Sequence, residues 1–355
     1  MNKKRVVSLL AAAIMTVSVF AGCGSQKQQG GSGTTEAKQV KIGLATDEGG
    51  LNDKSFNQAA DEGIKKAQSE FKNIDYKPIE SKKKDEFQPN LQALVDNGSE
   101  IIFGVGYQMA DAMTDMAKKY PDKKFAIIDS EVKEKNVVSL NFKEQEGSFL
   151  AGVIAGKMTK SNKLGFVGGK DFELINRFAA GYMAGAKAVN PSVQFDVRYA
   201  ADYANPTKGE ELATSMINGG CDVIYHASGG TGLGVFKAAK AMTKADKKIW
   251  AIGVDMDQSL TVPEYADVIL TSMIKRVDTA TYDTAKSVVQ GKFEGGKNIV
   301  FGLKEQGVDI AATSNKNTPK DVLDLVEKYR KAIIDGKITV PATKEDAAKF
   351  TAPAI

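Results

Sequence analysis

The chain has 355 residues, of which 42% are hydrophobic and 26% are charged, as is typical of a soluble globular protein. This length exceeds that of one typical small domain, so two domains are expected. The 48 Lys and Arg residues are nearly balanced by 44 Asp and Glu residues, and the net charge of +4 gives no reason to expect a nucleic-acid partner. We interpret the lysine run at 82–84 as solvated surface.

The N-terminus carries the pattern of an export signal. A basic start, "MNKKR", precedes an apolar run over residues 6–20, which is shorter than the roughly 20 residues of a membrane span. Residues 1–22 are therefore predicted to be a signal peptide. "FAGC", ending at Cys23, resembles the bacterial lipobox, in which the cysteine after the cleavage site receives lipid, although Phe20 stands where leucine is usual.

The cysteine count agrees with lipid attachment. The chain has two cysteines, so a lipid on Cys23 leaves Cys221 without a disulfide partner. Cys221 lies in the apolar run "CDVIYHA" and is predicted to be a buried core thiol. Residues 23–38 are rich in Gly, Ser, Thr and Gln and are predicted to form a flexible tether. These features predict a body anchored by lipid to the cell membrane, facing the extracellular or periplasmic side.

Short apolar runs alternate with amphipathic stretches from residue 40 onward. "QVKIGLAT" predicts a strand, and the apolar residues from Phe56 to Phe71 then recur at helical spacing. Further strands are predicted at "IDYKPIES", "EIIFGVG", "KFAIIDS" and "NVVSLNF", with helical segments among them. We assign residues 39–145 to a first lobe.

A second series of strands and helices begins at Lys163. Its strands are predicted at "KLGFVGG", "VQFDVRYA", "CDVIYHAS" and "KIWAIGVD". The strand–helix alternation predicts an α/β fold of two lobes, each a mostly parallel sheet with helices on both faces. Lobe 2 is assigned residues 146–267 plus 293–355. Residues 268–292, which contain "DVILTSMIKR" and a helix, are assigned to lobe 1.

Polar residues follow the predicted strands directly. In such sheets, ligands bind outside the carboxyl ends of the strands, and two lobes would bring these ends face to face across a cleft. The candidate ligand-binding residues are Asp47, Asn57, Asp129, Tyr203, Gly229, Asp255 and Lys275.

The candidate residues favour binding over catalysis. His226 is the only histidine and lies inside a strand-like run, where a structural role is expected. The sequence has neither a nucleophile-elbow motif nor a metal-ligand spacing, and we predict no catalytic residue, metal or cofactor. Asp129 and Asp255 could form a carboxylate pair for glycosidic chemistry, so a nucleoside hydrolase stays open as an alternative.

The glycine-rich segments do not indicate a phosphate site. "GGTGLG", at 229–234, has Val235 where a dinucleotide-binding fingerprint starting at Gly230 needs its third glycine. "ATDEGG" carries two carboxylates, which would repel a phosphate. A neutral polar ligand remains: carboxylates accept hydrogen bonds from hydroxyl or ring N–H groups, Asn57 both donates and accepts, and Tyr203 can stack on a planar ring. This set suits a nucleoside or a sugar.

Several segments, in order, resemble those of one family. They are "IGLATDEGGLNDKSFNQAADEGIKKA", "AIIDS", "NFKEQEGSFLAGVIAG", "GFVGG", "FAAGYMAGAK", "YHASGGTGLGVF", "AIGVDMDQ" and "LTSMIKR". Together they resemble the basic membrane protein family of lipoproteins, also called PnrA-like. The resemblance implies a type I periplasmic-binding-protein fold, whose two lobes are joined by three crossings. It also implies binding of a purine nucleoside such as adenosine, guanosine or inosine, and its delivery to the permease of an ABC importer.

The resemblance also implies roles for individual residues. Asn57 and Asp129 correspond to the residues that read the purine edge, and Asp255 and Lys275 to those that grip the ribose hydroxyls. Tyr203, in "ADYANP", stands where the family commonly has a phenylalanine stacked on the base.

Thr46 departs from the family pattern. Some members have a second stacking aromatic just before the aspartate that corresponds to Asp47. Phe56 and Phe178 are candidates for the missing face, but each lies in an apolar helical stripe, which favours a place in the core. A sugar- or signal-binding lipoprotein of the same fold is the main alternative function.

Overall fold

The computed structural model describes residues 38–353 and residue 355. The predicted signal peptide, Cys23 and the tether through residue 37 lie outside the described residues. Within the described part, no helix is long and apolar enough to cross a membrane.

The described chain alternates strands and helices along most of its length. The strands are β1 (Val40–Ala45), β2 (Ile74–Ile79), β3 (Ile101–Val105), β4 (Lys124–Ile128), β5 (Val137–Phe142), β6 (Lys163–Gly168), β7 (Gln194–Tyr199), β8 (Val223–Ala227), β9 (Trp250–Asp255), β10 (Ile269–Lys275), β11 (Lys297–Phe301) and β12 (Val308–Ile310). The helices are α1 (Phe56–Glu70), α2 (Phe87–Asp96), α3 (Ala110–Lys119), α4 (Glu144–Met158), α5 (Glu173–Val189), α6 (Pro206–Asn218), α7 (Leu233–Met242), α8 (Gln258–Thr261), α9 (Val277–Val289), α10 (Lys320–Ile334) and α11 (Lys344–Lys349).

The strands form two six-stranded sheets, one in each lobe. The order in lobe 1 is β11-β5-β4-β3-β1-β2, with every neighbouring pair parallel. The order in lobe 2 is β12-β10-β9-β8-β6-β7, with only β12 antiparallel to its neighbour. All residues of the central strands β3 and β8 are buried, as expected for parallel sheets covered on both faces. The predicted fold class is confirmed.

Two strands lie in the lobe opposite to the predicted one. β10 pairs with β9 in lobe 2, whereas residues 268–292 are predicted for lobe 1. β11 pairs with β5 in lobe 1, whereas residues 293–355 are predicted for lobe 2. The prediction is wrong for both strands, because an apolar run reports that a strand is buried and does not report which sheet it joins. The helix after β10, α9, packs against α1 in lobe 1.

The chain passes between the sheets three times: after β5, after β10, and between β11 and β12. The first and second crossings are short, running from Phe142 to Glu144 and from Lys275 to Val277. Because both crossings are so short, the last residues of β5 and β10 lie at the boundary between the lobes.

Helices α4 and α5 pack with their backbones in close approach. A Cβ added to Gly185 would lie 2.0 Å from the carbonyl oxygen of Phe149, and one added to Gly181 would lie 2.1 Å from the carbonyl oxygen of Gln145. Real Cβ atoms are never so close to a carbonyl, so these positions need glycine for the helices to meet.

Gly185→Ala is therefore expected to lower the free energy of unfolding by about 1–3 kcal/mol, because the helices must separate and disturb the core beneath them. Urea denaturation measures this change. Gly219→Ala is the matched control, since that residue has right-handed helical φ and its nearest non-neighbouring atom would lie 3.2 Å from the new Cβ. Equal midpoints for the two variants would contradict the close-packing argument.

Candidate functional site

The junction between β1 and α1 folds around the side chain of Asn57. Its Nδ2 donates to Asp47 Oδ1 at 2.7 Å and to Asp53 Oδ2 at 3.1 Å. Its Oδ1 accepts from the backbone N–H of Asp47 at 3.3 Å. Asp47 Oδ1 also accepts from the N–H of Gly49 at 2.9 Å. Asn57 therefore holds the two ends of this loop together and fixes the Asp47 carboxylate.

Asp53 caps the N-terminus of α1, a role that is not among the predictions made from the sequence. Its carboxylate accepts from the backbone N–H groups of Ser55 at 3.0 Å, Asn57 at 2.9 Å and Gln58 at 3.1 Å. These groups have no partner within the helix, and the helix dipole favours a negative charge there. Burial nevertheless raises the pKa of Asp53 to about 7. An aspartate just before a helical stripe is the signal that could have identified it.

Two aspartates occupy matching places in the two lobes. Asp129 directly follows β4 with φ 67°, and Asp255 ends β9 with φ 65°. This left-handed conformation costs a non-glycine residue on the order of 1–3 kcal/mol, and such strain is concentrated at functional sites. Burial raises the pKa of Asp255 to about 6, although Lys275 and a hydrogen bond from Ser55 lower it. Both aspartates are more than nine-tenths buried.

Lys275 lies at the end of β10 and is 1% exposed. Its Nζ is 2.5 Å from Asp129 Oδ2 and 3.5 Å from Glu144 Oε1. The rings of Phe56, Phe142 and Phe178 lie 4.8, 5.1 and 5.5 Å from the same nitrogen, within cation–π range. Burial alone lowers the pKa of this ammonium group, but the carboxylates of Asp129, Glu144 and Asp255 outweigh that effect and raise the pKa above its usual value.

One cavity between the lobes contains every predicted ligand-binding residue in its lining. Lobe 1 contributes Asp47, Asn57 and Asp129, and lobe 2 contributes Tyr203, Gly229, Asp255 and Lys275. The empty space within this cavity is about 500 Å³, part of which is open to solvent. The fold brings these residues together because the carboxyl ends of the strands of both sheets face this cavity.

Aromatic side chains from both lobes line the same cavity. Tyr203 and Phe178 come from lobe 2, and Phe56 and Tyr107 come from lobe 1. Phe56 and Phe178 also pack against the hydrophobic core, so the prediction of core positions is correct but incomplete. Thr46 is fully buried and is not part of the lining; its hydroxyl donates to the carbonyl of Asp47 at 2.9 Å.

The lobes touch each other beside the cavity. Ser55 Oγ of lobe 1 donates to Asp255 Oδ2 of lobe 2 at 2.5 Å. The hydroxyl oxygens of Tyr107 and Tyr203, again from opposite lobes, are 3.2 Å apart. Two of the cavity-lining residues of lobe 2 are thus held directly by lobe 1, so an opening motion would break these contacts.

The family of the chain is established by comparison with known proteins. A sequence model of the Bmp family, described as "ABC transporter substrate-binding protein PnrA-like", matches residues 40–344. The chain belongs to this family. The resemblance noted from the sequence is therefore confirmed.

Individual relatives of this PnrA-like chain extend over nearly its whole length. It is 43% identical over 354 residues to the "CD4+ T-cell-stimulating antigen" of Listeria innocua, covering 96% of this chain and 99% of that protein. It is 39% identical over 354 residues to the "ABC transporter nucleoside-binding protein BmpA" of Lactococcus lactis subsp. cremoris, with the same coverage of 96% and 99%. An ABC transporter solute-binding protein from Aeropyrum pernix K1 has a similar structure, with a TM-score of 0.76 and 28% identity over 87% of this chain and 96% of that one.

His226 and Cys221 both lie in the buried interior of this PnrA-like protein. His226 is fully buried, its Nε2 lies 2.9 Å from Gln258 Oε1, and burial lowers its pKa to about 4. Cys221 is fully buried, as predicted, and burial raises its pKa to about 11. Among residues 38–353 and 355, no group of three or more His, Cys, Asp or Glu is placed to hold a metal ion.

An ion pair crosses the rim of the cleft. Lys170 Nζ of lobe 2 lies 2.5 Å from Glu48 Oε2 of lobe 1. The two side chains are 28% and 20% exposed, respectively. Partly exposed pairs of this kind contribute about 0.2–1 kcal/mol and are screened by salt.

Glu48→Gln is therefore expected to weaken ligand affinity by about twofold to fivefold at low salt, because the closed arrangement of the lobes loses this pair. Titration calorimetry at low and high salt measures the effect, which should vanish at high salt. The control is Glu211→Gln, which removes an exposed pair with Lys208 inside lobe 2. A loss independent of salt would contradict the assignment of this pair to lobe closure.

Proposed function

We propose that this chain is the binding component of an ABC importer that captures a purine nucleoside between its lobes. We also propose that lipid on Cys23 holds it at the external face of the cell membrane, where it delivers the nucleoside to the permease. The main support for a ligand rich in hydrogen-bond donors comes from the Oδ1 atom of Asp129. Asp129 lines the cavity, and its Oδ1 is buried and has no hydrogen-bond partner among the described residues. It therefore needs a donor such as a ring N–H or a hydroxyl.

The proposed binding of the base uses aromatic faces and acceptors. Tyr203 of lobe 2 and Phe56 of lobe 1 both line the cavity. In this proposal they provide ring surface for the base, and Phe56 takes the place of the aromatic residue that Thr46 does not supply. Asp47 and Asp129 accept from donors on the purine edge. Asn57 already donates to both Asp47 and Asp53, and its Oδ1 accepts from the Asp47 N–H. Its proposed contact with the purine is therefore as an acceptor through the second lone pair of Oδ1.

The proposed binding of the ribose uses the charged residues of lobe 2. Asp255 accepts from vicinal hydroxyls, Lys275 donates to a ribose oxygen, and the backbone at Gly229 permits close approach. A ligand that contacts both lobes stabilises the closed arrangement, so capture is coupled to a hinge motion at the crossings.

Mass spectrometry of small molecules released by denaturing the purified protein tests this proposal. A binding protein closed around its ligand retains a fraction through purification when dissociation is slow. The expected mass is that of a purine nucleoside. A hexose or pentose mass would favour the sugar-binding alternative and contradict the proposal.

We propose binding without hydrolysis. The raised pKa of Asp255 gives a cavity carboxyl that could exchange a proton near neutral pH, so the hydrolase alternative has a direct assay. Nucleoside incubated with the protein at equal concentrations should be recovered intact. Release of free base above a control without protein would overturn this part of the proposal.

The affinity for nucleoside is expected to fall as the pH drops through about 6. Burial raises the pKa of both Asp47 and Asp255 to about 6, so each carboxyl is charged above that pH and neutral below it. Protonation removes charged acceptors that the ligand needs, so binding is strongest above pH 7 and weakens at pH 5. Titration calorimetry at pH 5, 6, 7 and 8 measures this. Affinity that rises on acidification would contradict the proposed acceptor roles.

A further inference from the structure

Glu144 is a fully buried acid that lies behind the ligand cavity and not in its lining. It is the first residue of α4, immediately after the first crossing between the lobes, and Lys275 is the last residue of β10, immediately before the second. The contact between Glu144 and Lys275 therefore joins two of the three crossings. The burial of Glu144 is not predictable from the sequence, because an acid in the first turn of a helix is usually solvated.

The Glu144 carboxylate is poorly compensated for a buried charge. Its Oε2 is 3.4 Å from Arg177 Nη1, which is at the long end of the hydrogen-bonding range. Its Oε1 is 3.5 Å from Lys275 Nζ and has no hydrogen-bond partner in the part of the chain that the structure describes. The start of α4 favours a negative charge, but burying a carboxylate without full hydrogen bonding is unfavourable for folding. A function at this position would explain the charge.

The ammonium group of Lys275 lies between two carboxylates. Asp129 Oδ2 is 2.5 Å from Nζ on the cavity side, and Glu144 Oε1 is 3.5 Å from it on the side of the crossings. Without Glu144, Asp129 would be the only carboxylate within 4 Å of Nζ among the described residues, and the ammonium group could move to bridge both of its oxygens. The unpartnered Asp129 Oδ1 would then no longer be free for a ligand.

We propose that Glu144 is a positioning residue for ligand binding, which holds Lys275 charged and in place so that Asp129 keeps one carboxylate oxygen available to the ligand. The consequence for nucleoside affinity rests on the proposed function. The effect on Lys275 itself does not.

Because Glu144 can be protonated, its hold on Lys275 depends on pH. The groups that face it are Lys275 from β10, Asp129 after β4, Arg177 from α5 and Tyr225 from β8. Burial raises the pKa of Glu144 to about 7 and Asp129 adds to this, while Lys275 and Arg177 lower it. The carboxylate is thus charged at pH 8 and largely neutral at pH 6, so Lys275 is held most firmly at the higher pH.

The test is an NMR titration of lysine labelled with ¹³C at Cε, with the Lys275 signal assigned from its loss in Lys275→Arg. In the unmodified protein, we expect this signal not to titrate below pH about 10, since the reference lysine pKa is about 10.4. In Glu144→Gln, we expect its midpoint to fall by about one pH unit or more, because burial is then opposed by fewer carboxylates. An unchanged midpoint in folded Glu144→Gln would overturn the inference.

Two further variants separate positioning from a general loss of structure. Glu173→Gln removes the other carboxylate near Arg177, at 3.7 Å, without touching Lys275, and should leave the titration unchanged. Glu144→Asp keeps the charge and should retain a high midpoint even if Glu144→Gln folds poorly. A midpoint lowered equally in Glu144→Asp would show that packing, and not charge, controls Lys275, and would also overturn the inference.

Measurements of nucleoside affinity test whether the positioning of Lys275 by Glu144 affects ligand binding. Glu144→Gln should weaken nucleoside binding about tenfold at pH 8 and make the affinity less dependent on pH between 8 and 6. Glu173→Gln should do neither. If no nucleoside binds to the unmodified protein, the proposed function fails and the lysine titration alone decides the role of Glu144.

Discussion

Lys275→Met is expected to lower the free energy of unfolding by about 3–5 kcal/mol, because it leaves buried carboxylates without their cation. Asp129 and Glu144 lie 2.5 and 3.5 Å from Nζ, and the side chains of both acids are at most 5% exposed. Methionine fills much of the same volume, so the decrease in the free energy of unfolding reflects the missing charge and not a new cavity. Chemical denaturation at pH 8 measures the change.

The loss of stability in Lys275→Met is expected to depend on pH. Removing the cation raises the folded-state pKa of Glu144, already about 7, and of Asp255, already about 6, still further above the unfolded values. An acid with a raised pKa destabilises the folded state above that pKa, and the penalty is relieved as the pH falls through it. The deficit of Lys275→Met relative to the unmodified protein should therefore shrink from pH 8 to pH 5.5. Lys275→Arg is the control that keeps the charge, and a deficit that grows on acidification would contradict the account.

Asp255→Ala is expected to weaken nucleoside binding by about 100-fold or more, equivalent to about 2.7 kcal/mol, because a buried charged acceptor is lost to the ribose hydroxyls. The effect should be specific to the nucleoside. The free base lacks the hydroxyls, so its affinity should be weaker in the unmodified protein and should change much less on substitution. Titration calorimetry with adenosine and adenine measures both.

Asp255 also accepts from Ser55 across the cleft, and this second role needs its own control. Ser55→Ala removes this contact between the lobes and keeps the Asp255 carboxylate. It should therefore lower the affinities for nucleoside and free base equally, and by a smaller factor than Asp255→Ala lowers the nucleoside affinity. If adenosine and adenine bind the unmodified protein equally, Asp255 has no ribose role. If Ser55→Ala reproduces the whole loss, the effect of Asp255→Ala comes from lobe closure.

The sequence predicts much of the site because local patterns imply where strands end. Asp47, Asp129 and Asp255 each stand directly after or at the end of an apolar run, and parallel sheets bring such positions to one edge. Asn57 and Lys275 are predicted from the chemistry that a neutral polar ligand requires. All of them line one cavity, because the two sheets face each other with their carboxyl ends.

The remaining features depend on tertiary structure that no local pattern contains. β10 and β11 exchange their predicted lobes because several crossings are compatible with the same alternation of strands and helices. The charge of Glu144 predicts exposure to solvent, yet this residue is fully buried at the start of α4, directly after the first crossing between the lobes. Phe56 begins a core-facing helical stripe and also lines the cavity, because a residue at a helix start can face both.

The proposed function requires the cavity to bind a purine nucleoside through both its base and its ribose. Titration calorimetry at pH 8 with adenosine, guanosine and inosine, and with ribose and galactose as competitors, tests this claim most directly. Saturable binding of at least one purine nucleoside at micromolar concentrations or below is expected, and neither sugar at a concentration equal to that of the nucleoside should displace it. Absence of binding by all three nucleosides, or displacement by an equal concentration of ribose or galactose, would contradict the proposed function.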